Sequence, residues 1–133
     1  MQHTVLVVED AVTLRALTRR LLERQGYTVL TAASAKDAIR VWDANPAIGL
    51  LLTDVVMPGG SGPELAKRFV AERPDLRVIY MSGYTENTIV QQGALNSEIT
   101  FLHKPFTSET LGLKLRDAYA KGAPAPVMAE ARQ

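Results

Sequence analysis

The sequence contains no cysteine, so disulfides, thiolate metal sites and cysteine nucleophiles are all excluded. It also lacks any apolar run approaching the roughly 20 residues that a bilayer-spanning helix needs. The N-terminus has no basic segment followed by an apolar core, so no secretory signal is predicted. We therefore expect a soluble cytoplasmic protein that makes no contact with membranes.

An excess of charge of one sign is missing as well, because 15 basic residues nearly balance 14 acidic ones. The net charge of +1 creates no global field that favours nucleic acid, and we expect no nucleic acid binding by this chain. Four arginines do cluster on one predicted helix: Arg15, Arg19, Arg20 and Arg24. We interpret them as its solvated face, and docking of a partner is the second interpretation.

The composition and length fit one folded domain. Apolar residues make up 47% of the 133 residues, which excludes a disordered chain. Beyond residue 122, the Ala-Pro-Ala-Pro sequence cannot continue a helix. We therefore predict one domain over residues 1–121 and a flexible tail or linker over 122–133.

Five apolar runs alternate with stretches of helical periodicity, and they occupy residues 4–8, 27–32, 49–53, 77–81 and 99–103. Strict strand–helix alternation is typical of a parallel sheet with right-handed crossovers and helices on both faces. The predicted class is therefore α/β, with a doubly wound sheet. The alternation alone does not give the strand order.

Leucine spacing and capping signals define the predicted helices. Ser34 and Ser61 each open a capping box, and a short helix is predicted at 86–92. The first helix should end near Gly26, and the last should begin near Thr107. The expected buried faces carry Leu14, Leu17, Leu21 and Leu22 in the first helix, and Leu111, Leu113, Leu115 and Tyr119 in the last.

Acidic residues stand where two apolar runs end. Glu9 and Asp10 follow the first run, and Asp54 follows the third. The carboxyl ends of parallel strands share one edge of the sheet, where ligands bind. Carboxylates gathered there repel one another unless a cation is bound, and oxygen ligands favour Mg²⁺ or a similar hard ion such as Mn²⁺. One carboxylate can then attack phosphorus. A simple helix cap is the alternative role of Asp10.

Two further polar residues follow later runs. Lys104 supplies a cation, and Ser82 supplies a hydroxyl that can donate to a phosphoryl oxygen. A cis bond between Lys104 and Pro105 would direct the ammonium to the site, although only about 5–6% of X–Pro bonds are cis. The alternatives are a surface lysine in a turn and a serine that caps a turn with Gly83.

Four motifs stand in a fixed order: Glu9-Asp10, Asp54 within LLLTDVVMPGGSGPEL, Ser82 in MSGY, and KPF at 104–106. Together they resemble the receiver domain of two-component response regulators over residues 4–121. The resemblance implies a flavodoxin-like fold, with five parallel strands in the order 2-1-3-4-5. The MSGYTEN and FLHKPFT segments are more similar to receivers of hybrid sensor histidine kinases than to those of transcription factors.

The resemblance also implies a role for each residue of the site. Asp54 would be the phosphoacceptor, with Glu9 and Asp10 as the acidic pair that holds Mg²⁺ or Mn²⁺. The backbone carbonyl of Val56 would complete the metal site. Lys104 and Ser82 would assist the phosphoryl transfer, and Pro105 would be the cis-proline.

A switch is implied as well. Phosphorylation in the family draws the hydroxyl of the Ser82 position inward, and the aromatic ring at the Phe101 position follows. Phe101 lacks a hydroxyl, so apolar packing alone would hold its inward state, and a plain core phenylalanine is the alternative. Val56 and Tyr84 flank the site, and we expect them to modulate phosphoryl lifetime.

The leading functional prediction is a phosphorylation-dependent signalling module that is not a metabolic enzyme. Its partner would be a histidine kinase or a histidine phosphotransfer protein, and the chain could itself belong to a hybrid kinase. Contacts rather than an attached effector domain would give the output. The face over residues 86–121 is the candidate surface for them and for weak homodimer formation.

Three other functions are weighed against it. A haloacid-dehalogenase-type phosphatase needs a second aspartate where Val56 stands. A flavin-binding protein needs a glycine- and hydroxyl-rich loop after the first strand, where Glu9-Asp10 would repel the phosphate. A binding module that has lost phosphorylation would have no need for the acids, hydroxyl and lysine.

Overall fold

The computed structural model of the protein describes residues 3–57, 59–83 and 100–121. The strands are β1 (Thr4–Val8), β2 (Thr28–Ala32), β3 (Ile48–Asp54), β4 (Val56–Met57), β5 (Gly60–Ser61), β6 (Arg77–Ser82) and β7 (Thr100–His103). The helices are α1 (Val12–Arg24), α2 (Ala35–Ala44), α3 (Gly62–Glu72) and α4 (Ser108–Lys121).

Five strands form one parallel sheet in the order β2-β1-β3-β6-β7. Counted among these five alone, the order is 2-1-3-4-5, so the flavodoxin-like fold is confirmed. β4 and β5 form a separate antiparallel pair that the apolar pattern did not predict. Gly59, in the turn between them, has a φ of +79°, a left-handed conformation that glycine adopts without a steric penalty.

Apolar side chains cover both faces of the sheet, because successive residues of a strand point to opposite faces. One core packs α2 and α3 on the sheet, and there the rings of Trp42 and Phe69 stack with centroids 4.0 Å apart. The other core packs α1 and α4 through Leu22, Leu111 and Leu115. Because helices cover both faces of the sheet, the sequences of its strands are nearly continuous apolar runs.

The predicted capping signals are present at the helix ends. The hydroxyl of Ser34 accepts a hydrogen bond from the Asp37 N–H at 3.1 Å, and that of Ser61 accepts one from the Glu64 N–H at 3.2 Å. Gly26 follows the end of α1 with a φ of +99°. These caps bind backbone groups that have no partner within the helix, so each helix begins or ends at a defined residue.

Two leucines predicted to be buried are exposed, which corrects the expected helix faces. Leu17 is 42% exposed and Leu113 is 53% exposed. In α1 the buried stripe contains Thr18 instead, whose hydroxyl donates to the carbonyl of Leu14 at 2.7 Å. A threonine can occupy a buried stripe because this bond within the helix satisfies its hydroxyl.

The helix predicted at 86–92 and the tail predicted at 122–133 lie outside the described residues. Among the helices that the structure does describe, none has the length and apolar character needed to cross a membrane.

Candidate functional site

Glu9 lies directly after β1 and is buried, with a relative exposure of 1%. One of its carboxylate oxygens, Oε2, accepts a hydrogen bond from the Ala11 N–H at 2.9 Å. The other, Oε1, lies 2.6 Å from the Nζ atom of Lys104. Glu9 is therefore held by the start of α1 on one side and by an ammonium on the other.

Asp54 is the last residue of β3, and it is also buried, with a relative exposure of 4%. Its Oδ1 atom lies 2.6 Å from Lys104 Nζ. Backbone bonds fix the chain around it: the Val55 N–H donates to the carbonyl of Met81 at 3.2 Å, and the Gly62 N–H donates to the carbonyl of Val55 at 2.7 Å. The carboxylate thus projects from a chain segment whose position is fixed on both sides.

Asp10 completes a group of three carboxylates. One oxygen from each of Glu9, Asp10 and Asp54 lies within 4.8 Å of the others. Asp10 is exposed, and α1 begins after Ala11 with no capping side chain, so the alternative role of Asp10 as a helix cap is wrong.

The three carboxylates fit a hard divalent cation. Two of their oxygens, Glu9 Oε1 and Asp54 Oδ1, are buried, and each lies 2.6 Å from the Lys104 ammonium. All the donors are carboxylate oxygens, and Asp10 is exposed to water. This arrangement suits Mg²⁺, which keeps several water ligands when it binds to proteins.

Lys104 contacts both buried carboxylates from the loop after β7. Its backbone N–H donates to the carbonyl of Ser82 at 3.0 Å, and its peptide bond to Pro105 is cis. Its side chain retains 23% exposure. One ammonium therefore neutralises much of the repulsion between Glu9 and Asp54 while staying open to solvent on one side.

Burial and neighbouring charges shift the pKa values of these three groups in different directions. Burial raises the pKa of Asp54 to about 7, opposed by Lys104 and reinforced by Glu9. Burial also acts to raise the pKa of Glu9, but hydrogen bonds from Lys104 and from the Ala11 N–H hold it below the ordinary 4.5. Burial acts to lower the pKa of Lys104, but the two carboxylates raise it above 10.5. Without a bound cation at neutral pH, Glu9 and Lys104 are charged and Asp54 is partly protonated.

The structure also describes Ser82, Val56 and Phe101, three of the other predicted site residues. Ser82 is buried at the end of β6, one residue after Met81, which is the register partner of Asp54. Val56 starts β4 and is 56% exposed. Phe101 is half-buried in β7, and its ring lies 5.8 Å from that of Tyr80. Tyr84 lies outside the described residues.

Two residues that support the site were missed from the sequence. Gly62 lies so close to Asp54 that a Cβ atom on it would be 2.2 Å from the Asp54 carbonyl oxygen. Arg15 was interpreted as part of a solvated face, but its Nη1 atom donates to the Glu9 carbonyl at 2.8 Å. The one available signal for Arg15 was its place in the first turn of α1, directly after the acidic pair.

Comparisons with known proteins show which proteins this chain is similar to. The family model of the response regulator receiver domain matches residues 5–116. The sensor kinase CckA of Brucella abortus is 33% identical over 119 residues, which are 89% of this chain and 13% of that protein. The sporulation initiation phosphotransferase F of Bacillus subtilis is 29% identical over 124 residues, which are 93% of this chain and 96% of that protein.

Solved structures are similar to this chain as well. The receiver domain of the hybrid histidine kinase CckA is 34% identical, with a TM-score of 0.71, covering 86% of this chain and 97% of that one. A response regulator receiver domain protein from Clostridium thermocellum is 28% identical, with a TM-score of 0.76, covering 90% of this chain and 95% of that one. The chain thus spans a small part of the Brucella kinase and nearly all of the single-domain structures.

Substitution of Gly62 tests the close approach of α3 to Asp54. In Gly62→Ala the added Cβ would meet the Asp54 carbonyl at 2.2 Å, so the backbone must shift. We expect the free energy of unfolding to fall by about 1–3 kcal/mol, measured in urea. Gly49→Ala is the control, because a Cβ there would meet no atom within 4 Å. Equal stability of the two variants would contradict the expected clash.

The raised pKa of Asp54 gives a pH dependence of stability without metal. The folded protein holds this proton up to about pH 7 whereas the unfolded chain loses it near 3.8, so stability falls as pH rises between these values. Asp54→Asn removes this loss, and we expect it to be more stable than wild type at pH 8 in EDTA by about 1–3 kcal/mol. Urea unfolding at pH 5 and pH 8 measures the difference, and a variant no more stable at pH 8 would contradict the raised pKa.

Proposed function

The chain belongs to the response regulator receiver domain family, and from that premise we propose that it accepts a phosphoryl group on Asp54. The donor would be a histidine kinase or a histidine phosphotransfer protein, and transfer would depend on Mg²⁺ or Mn²⁺. The observation that carries the proposal is the contact of one ammonium, Lys104, with the two buried carboxylates of Glu9 and Asp54 at 2.6 Å each.

The proposed reaction is an in-line displacement at phosphorus. An oxygen of the Asp54 carboxylate attacks the phosphorus of a phosphohistidine, the P–N bond breaks, and the imidazole leaves with the bonding electrons and takes up a proton. The product is an acyl phosphate on Asp54. The attack requires the ionised carboxylate, whereas burial keeps part of the Asp54 population protonated near pH 7 when no cation is bound.

Glu9, Asp10, Asp54 and the backbone carbonyl of Val56 would hold the metal ion. When bound, Mg²⁺ would neutralise charge on the transferring oxygens and favour the ionised form of Asp54. Lys104 would move its ammonium from the carboxylate pair towards the incoming phosphoryl oxygens, a short movement for a flexible side chain.

We further propose that phosphorylation changes a docking surface through Ser82 and Phe101. Ser82 is buried one residue beyond the register partner of Asp54, and Phe101 lies half-buried on the neighbouring strand. A hydroxyl drawn towards a phosphoryl oxygen at Ser82 would free space for the Phe101 ring. The affected surface would lie within residues 86–121, where a weak homodimer could also form. Val56 and Tyr84 would modulate the phosphoryl lifetime.

The proposed function also implies an arrangement of domain and tail along the chain. Residues 1–121 would form the receiver domain, and 122–133 a tail or linker. The protein would work in the cytoplasm without binding nucleic acid or membranes, and would be a signalling module rather than a metabolic enzyme. Likeness to a segment of a large kinase and to a complete small phosphotransferase supports either a hybrid kinase or a separate protein as its setting.

A phosphatase of the haloacid dehalogenase type is not favoured. Its chemistry needs an acid two residues after the nucleophilic aspartate. That position is Val56, which is apolar and 56% exposed.

Phosphorylation by a small-molecule donor tests the proposed function directly. We expect wild type incubated with acetyl phosphate and Mg²⁺ to gain the mass of one phosphoryl group by intact mass measurement. Asp54→Asn should gain none, because an amide is not nucleophilic enough to attack phosphorus. Asp43→Asn is the control, since Asp43 is an exposed acid on α2. Equal labelling of wild type and Asp54→Asn would exclude Asp54 as the acceptor.

A further inference from the structure

Arg15 is the fourth residue of α1, and its side chain folds back towards the carboxyl end of β1. Its Nη1 atom donates to the carbonyl of Glu9 at 2.8 Å and makes a second, longer contact of 3.4 Å with the carbonyl of Asp10. A guanidinium presents several N–H donors in one rigid plane, so it can hold two neighbouring carbonyls together. Arg15 therefore contacts the backbone of both members of the acidic pair.

The backbone of Glu9 and Asp10 determines where their carboxylates point. Three hydrogen bonds hold this short segment in place. The Glu9 N–H donates to the carbonyl of Ala32 at 3.0 Å, Arg15 donates to the Glu9 carbonyl at 2.8 Å, and the Ala11 N–H donates to the Glu9 carboxylate at 2.9 Å. Ala11 offers no side chain to cap α1. Without Arg15, the bond between Glu9 and α1 that remains is the one from the Ala11 N–H to the Glu9 carboxylate, and this carboxylate also faces the proposed metal site.

Asp37, in the first turn of α2, has a weak electrostatic interaction with Arg15. The Asp37 carboxylate has a lowered pKa, mainly because of its contact with Arg40 and its bond from the Ala33 N–H, with Arg15 among the smaller causes. The contacts of the half-buried Arg15 guanidinium are with the acidic loop, in contrast to Arg19, which is exposed and pairs with Glu23.

We propose that Arg15 is a positioning residue that holds the backbone of Glu9 and Asp10 in the geometry that binds Mg²⁺. This inference rests on the proposed function, and Arg15 is not itself one of the proposed metal ligands. Two effects of Arg15 oppose each other. Its charge repels a cation, but water screens a half-exposed charge, whereas the backbone bonds act on the ligands themselves. Positioning is therefore the larger effect.

Calorimetric titration of Mg²⁺ into the full chain tests this inference. We expect Arg15→Met to raise the Kd for Mg²⁺ about tenfold, the effect typical of removing a partner that orients metal ligands. Arg15→Lys keeps the charge, but its nitrogen is one bond closer to the backbone than Nη1 of arginine and so holds the Glu9 carbonyl less well. Its Kd should lie between those of Arg15→Met and wild type. Arg19→Met should bind like wild type. In acetyl phosphate labelling, the half-saturating Mg²⁺ concentration should rise by the same factor, with the rate at saturating Mg²⁺ unchanged.

An unchanged or tighter Kd in Arg15→Met would overturn the inference, because loss of the positive charge by itself favours cation binding. A fully wild-type Arg15→Lys beside a weakened Arg15→Met would also overturn it, since the guanidinium would then not be needed to hold the backbone. Fluorescence of the buried Trp42 reports whether each variant is folded. If Arg15→Met does not fold, the Arg15→Lys titration decides, and a wild-type Kd there would overturn the inference. A wild type that neither binds Mg²⁺ nor is labelled would instead refute the proposed function.

Discussion

One ammonium placed between two buried carboxylates is the interaction on which the site depends. Lys104 Nζ lies 2.6 Å from Glu9 Oε1 and 2.6 Å from Asp54 Oδ1. Two buried carboxylates at such short range could not both be ionised without a compensating charge. Lys104 supplies that charge but remains partly open to solvent, so the pair can coexist in the folded state and stay accessible to a cation and a phosphoryl donor.

The sheet brings these three groups together from distant parts of the sequence. Glu9 follows β1 and Asp54 ends β3, and these two strands are direct neighbours. Lys104 follows β7, two strands away from β3, and its loop is tied to β6 through the Ser82 carbonyl. Parallel strands end at the same edge, so residues that follow them converge whatever their separation in the chain. The fold therefore explains why Glu9, Asp54 and Lys104 converge, and their burial explains why the repulsion between the two carboxylates is strong.

Most of the fold and the principal polar residues could be predicted, because strong local signals mark them. Apolar runs ending in charged residues marked β1, β3 and β7, and serine caps marked α2 and α3. The strand order came from the resemblance alone, since alternation does not encode it. Thr18 replaced Leu17 in the buried stripe because its hydroxyl is satisfied inside the helix. The roles of Arg15 and Gly62 depend on contacts between elements, which residue spacing along the chain does not report.

The most direct measurement is a calorimetric titration of Mg²⁺ into wild type and into the double variant Glu9→Gln/Asp10→Asn. If the three carboxylates converge as described, wild type binds one ion and the double variant binds none, while both remain folded. Binding of Mg²⁺ with equal affinity by the two proteins, or no binding by wild type, would contradict a shared carboxylate site at this edge of the sheet.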